Sequence, residues 1–70
     1  MKRQPVQSTA IRSIGYDPES QTLEIEFLNG RIYRYFRVHE FLHRGFMLAD
    51  SKGDYFKRRI NNRFPCEEIR

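Results

Sequence analysis

Seventy residues, 39% of them hydrophobic and 14% aromatic with no tryptophan, make a single domain with a small core. This composition is too apolar for a disordered segment, holds no run near the ~20 apolar residues of a membrane span, and is too short for a large cofactor-binding fold. A formal charge of +4 suits nucleic acid or another anionic partner without naming either.

Residues 1–9 are polar, contain Pro5 and lack periodicity, so they read as a flexible lead-in. Polar residues follow Met1-Lys2-Arg3 where a secretory signal would place an apolar stretch. A lone cysteine cannot form an internal disulfide, so the cytoplasm is the expected compartment. The first strand runs from Ile11 to Asp17, and Asp17-Pro18-Glu19-Ser20 forms a turn. Leu23-Glu24-Ile25-Glu26-Phe27 alternates apolar and acidic side chains, the pattern of a half-buried antiparallel strand. Asn29-Gly30 signals a hairpin, and a third strand rich in Tyr, Phe and Ile spans Arg31 to Arg37.

The register of that hairpin decides what Tyr33 and Tyr35 do. A two-residue loop would turn Arg34 into the core and leave both tyrosines outside, as a stacking platform for nucleobases. A three-residue loop, Leu28 to Gly30, pairs Ile25 with Tyr33, Glu24 with Arg34 and Leu23 with Tyr35. Burying an unpaired arginine costs several kcal/mol, roughly, whereas a cross-strand pair contributes only about 0.2–1 kcal/mol. The three-residue loop is therefore favoured, with the tyrosines in the core and Ile32 and Phe36 on the outer face.

After Val38 the period lengthens to that of a helix. Val38, Phe41, Leu42, Gly45, Leu48 and Ala49 form one stripe of an amphipathic helix over 39–50, with Phe46 and Met47 at its margin. Ser51 and Asp54 have the spacing of a capping pair, so a second helix is expected from Ser51 to about Asn62, burying Phe56 and Ile60. Pro65 stops it, and residues 66–70 form a short tail in which Cys66 is an unreactive thiol. The domain proper is expected to span 10–65. The fold class is α+β: a three-stranded antiparallel meander followed by two helices packed on one sheet face.

Several of these strings resemble the KTSC domain: Ile14-Gly15-Tyr16-Asp17, Leu23 to Phe27, Asn29-Gly30, Tyr33-Arg34-Tyr35-Phe36, and Ala49-Asp50-Ser51-Lys52-Gly53 leading into Tyr55-Phe56. The likeness runs from about Ser13 to Phe64. That family takes its name from the C-terminal extension of some lysyl-tRNA synthetases and includes free-standing bacterial proteins. The resemblance implies that Tyr33, Tyr35, Ser51, Gly53 and Phe56 are motif positions, and it suggests RNA as a ligand class.

The charge itself is unevenly placed. Residues 52–63 carry Lys52, Lys57, Arg58, Arg59 and Arg63 against Asp54 alone, a net +4, more than a helix C-terminus needs to offset its dipole. These five are the expected phosphate contacts of an RNA-binding helix. His39-Glu40-Phe41-Leu42-His43 matches the zinc-protease string, but both histidines fall opposite the apolar stripe, and Glu40 has a partner in Arg44 four residues on. Ser51-Lys52-Gly53 follows a helix rather than a buried strand, so it is a helix corner rather than a phosphate loop. No catalytic group, metal or cofactor is expected. The favoured reading is a non-catalytic binding module for RNA, and the alternative is a protein-interaction or homodimerising module using the outer sheet face.

Overall fold

A computed structural model describes residues 1–69. Five strands and two helices follow in the order β1 (Arg3–Pro5), β2 (Ile11–Asp17), β3 (Thr22–Phe27), β4 (Ile32–Tyr35), α1 (Glu40–Leu48), α2 (Lys52–Arg59) and β5 (Cys66–Ile69). The strands form one antiparallel sheet in sequence order, each pairing its neighbour. The α+β class stands, but the three-stranded meander becomes a five-stranded sheet. The expected lead-in supplies β1, which pairs Arg3 with Gly15. The expected tail supplies β5, which pairs Cys66 with Tyr35 and Glu67 with Arg34. Neither segment alternates in polarity, because each lies at a sheet edge and is held by backbone hydrogen bonds to the strand inside it.

The hairpin register follows the charge argument. Leu23 lies opposite Tyr35, Glu24 opposite Arg34 and Ile25 opposite Tyr33. Gly30 closes the three-residue loop at φ 91°, the left-handed conformation glycine adopts without steric cost. The Asp17 turn also forms, with its carboxylate accepting from the Glu19 amide at 3.1 Å and the Ser20 hydroxyl at 2.9 Å.

Both helices cover one face of the sheet. The core joins Ile11, Ile14, Leu23, Ile25 and Tyr35 from the strands to Val38, Phe46 and Ile60 from the helical half. Phe46, placed at the margin by the helix wheel, is fully buried, whereas Phe41 and Leu48 are 71% and 79% exposed. α1 carries two apolar stripes, and the one through Leu42 and Phe46 docks. The rotation brings His43 onto the sheet side, where its ring stacks on Tyr16 at 4.6 Å and 9°. His43 therefore does not face solvent as the wheel implied. Burial lowers its pKa against the opposing pull of Glu40.

The helices lock through Tyr55. Its hydroxyl donates to the Leu42 carbonyl at 3.0 Å, its ring stacks on Phe46 at 5.4 Å, and a Cβ at Gly45 would lie 2.6 Å from that hydroxyl. Ser51 caps α2 by accepting from the Asp54 amide at 3.2 Å. α2 ends at Arg59, short of Asn62, because the Ile60 and Asn61 amides both turn back to the Phe56 carbonyl.

Candidate nucleic-acid interface

The positions singled out by their place in a family motif are architectural. Tyr35 is 5% exposed, and burial, reinforced by Cys66 and Tyr33, pushes its phenol up to about 12, so it stays neutral. Phe56 meets both Phe27 and Tyr35 edge-on, at 5.3 and 5.8 Å. Tyr33 is half-buried and meets Phe27 edge-on at 5.9 Å. Gly53 lies where a Cβ would make ordinary contact with Ala10 at 3.7 Å. Together with the Ser51 cap they fix α2 against the sheet, and neither tyrosine forms an exposed stacking platform.

On the outer sheet face Arg3 and Arg34 pair with Glu24, and Arg12 with Glu26. A single row crosses the sheet through Arg3, Gly15, Glu24, Arg34 and Glu67. Gly15 has no side chain, and a Cβ there would meet Arg3 Cγ at 3.0 Å. The Arg3 stem therefore passes over it and its guanidinium reaches the Glu24 carboxylate. Arg34 donates to the other Glu24 oxygen at 3.0 Å. Burial alone would raise the pKa of Glu24, but the hydrogen bonds and charges of Arg34 and Arg3 together outweigh it and hold the carboxyl below its ordinary value. Arg3 also donates to Ser13, which in turn donates to Glu26 at 2.8 Å.

The helical side differs. Lys57, Arg58, Arg59 and Arg63 are exposed, and among the described residues none of them is within ion-pair distance of a carboxylate, unlike Arg3, Arg12, Arg34 and Arg44. Lys52 separates from this group. It is half-buried and its ammonium donates to the Ala49 carbonyl, closing the end of α1. The Arg59 guanidinium lies 6.0 Å above the Tyr55 ring.

Two hollows meet at Tyr55 and Arg59. One, of 370 Å³, is lined by His39, Phe41, Leu42, Tyr55 and Arg59. The other, of 270 Å³, runs past Asp54 and Arg58 to Ser51 and Ala49. Phe41, which the helix wheel puts on the buried stripe, instead lines the first hollow with its ring exposed. It is stacked against His39 at 5.1 Å, with the Arg44 guanidinium 5.6 Å from its centre. His39 caps α1, its Nδ1 accepting from the Phe41 amide at 3.1 Å. One histidine thus serves as a cap and the other stacks on the sheet. Among the described residues no three His, Cys, Asp or Glu side chains cluster as a metal site would require, and no helix is long and apolar enough to cross a membrane.

The sequence profile of the KTSC domain matches residues 7–64. A crystal structure of a KTSC domain protein from Yersinia pestis superposes with a TM-score of 0.94 at 47% identity, covering 99% of this chain and 97% of that one. An uncharacterised protein of Stutzerimonas stutzeri is 47% identical over 58 residues, which is 83% of this chain and 82% of its own length. A lysine–tRNA ligase of Nostoc sp. is 39% identical over 59 residues, 84% of this chain but 10% of the ligase. The chain belongs to the KTSC domain family.

Proposed function

We propose that the domain is a non-catalytic module that binds RNA through the solvent face of α2 and the turn that follows it. The observation that carries this reading is the group Lys57, Arg58, Arg59 and Arg63, exposed and without carboxylate partners among the described residues. Cations of this kind release counterions from a phosphate backbone on binding, whereas those already paired with carboxylates contribute little. The occurrence of a related segment within a lysine–tRNA ligase supports RNA as the ligand class.

The test is binding of a labelled RNA hairpin between 50 and 200 mM salt. Affinity should fall steeply with salt, and the Arg58→Ala/Arg59→Ala variant should bind more weakly, with its log–log salt slope reduced by about 1.5. Absence of binding at 50 mM salt, or a double variant indistinguishable from the parent, refutes the reading. A second reading, a homodimerising or protein-binding surface, rests on the outer sheet face. There Ile32 lies opposite Ile69 and Phe36 follows on the same side, all three half-buried. The ion-paired row occupies the centre of that face, which favours the helical side.

A further inference from the structure

Phe41 takes no part in the core: its ring packs only on its own helix, against His39 and Arg44. Phe41 is 71% exposed. The neighbouring stripe through Leu42 and Phe46 already supplies the helix with its docking face. Its surroundings are of two kinds. On the α1 side are the His39 ring and the Arg44 guanidinium, the latter held by Glu40 at 3.2 Å. Across the hollow are Tyr55 and Arg59, with Arg58 beyond them in the adjoining depression. Flat apolar surface is thus set beside cations that lack carboxylate partners.

We infer that the seam between α1 and α2 takes single-stranded RNA, with an unstacked base lying against Phe41 in the His39–Phe41–Leu42–Tyr55–Arg59 hollow and the adjoining phosphates at Arg58 and Arg59. This inference rests on the RNA reading above and narrows it. The phosphate contacts would serve duplex and single strand alike, whereas a ring at this site adds binding energy only if a base is free to stack on it. In duplex RNA the bases are stacked on one another and cannot reach it. Phe41 and Arg59 both line the 370 Å³ hollow, so base and phosphate have adjacent places. An acidic peptide would also satisfy the arginines, but it would leave the exposed ring without a partner of matching shape.

The experiment compares a labelled eight-nucleotide RNA with the same strand annealed to its complement, at 50 mM salt, by fluorescence anisotropy. The single strand should bind more tightly. Phe41→Ala should weaken it roughly five- to tenfold while leaving duplex affinity and the salt slope unchanged, and Phe41→Tyr should restore it. The thermal midpoint of Phe41→Ala should match the parent, since the ring is exposed. If the duplex binds as well as the single strand, or Phe41→Ala leaves single-strand affinity intact, the seam is not a base site, although the RNA reading survives. If neither RNA binds and an acidic peptide does, both readings fail.

Discussion

The two outward surfaces of this domain use the same residue types for opposite ends. On the sheet, Arg3 and Arg34 converge on Glu24, which is 4% exposed although no third layer covers it. On α2, Lys57, Arg58 and Arg59 stand in solvent without carboxylate partners among the described residues. An arginine's charge therefore says little until its partner is known. Cross-strand register delivers a partner at a fixed distance, and a helix face with a single acid in its first turn does not.

The largest effect that separates the surfaces should come from Glu24→Gln. Removing the carboxylate leaves two guanidiniums facing each other, and urea unfolding should show a loss of about 2 kcal/mol, since both arginines can partly rehydrate. A neutral result would mean that the sheet charges are no more committed than those on α2. A pH series sharpens the contrast. The lowered folded-state pKa of Glu24 contributes stability that is fully present above its ordinary value of 4.5 and is lost as the pH falls through the folded-state value. The acid limb should therefore be steeper in the parent than in Glu24→Gln. His43 adds an earlier window. Its pKa is also lowered, so stability begins to fall as the pH drops below 6.5, and His43→Gln should flatten that portion alone. The smallest effect belongs to Arg58→Ala/Arg59→Ala, whose stability should stay within about 0.5 kcal/mol of the parent per site at every pH.

Much of this contrast was legible in the sequence where local chemistry decides. Asn29-Gly30 and the alternation of Leu23 to Phe27 gave the hairpin, and the cost of burying Arg34 selected its register. Ser51 and Asp54 gave the start of α2. What depends on docking was not legible. Arg3-Gln4-Pro5 and Cys66-Glu67-Glu68-Ile69 become strands because β2 and β4 offer free edges, and no periodicity within three or four residues marks that. α1 holds two apolar stripes, and packing against Val38 and the sheet chose the one through Phe46. The same choice exposed Phe41 and turned His43 inward. One signal was available: a glycine within a strand pattern marks a place where another chain segment passes close by, and Gly15 lies beneath Arg3.

The two sheet edges also bear on how copies of the chain meet. Pro5 removes an amide donor from β1. Antiparallel addition of one β5 to another, centred on the strand, would set Glu67 against Glu68. Growth of the sheet into a continuous ribbon is thus opposed at both borders. Under the proposed RNA reading, copies would gather along a shared strand rather than edge to edge, each contributing one helical seam, and the number of domains on a long RNA would report the spacing of its unpaired segments.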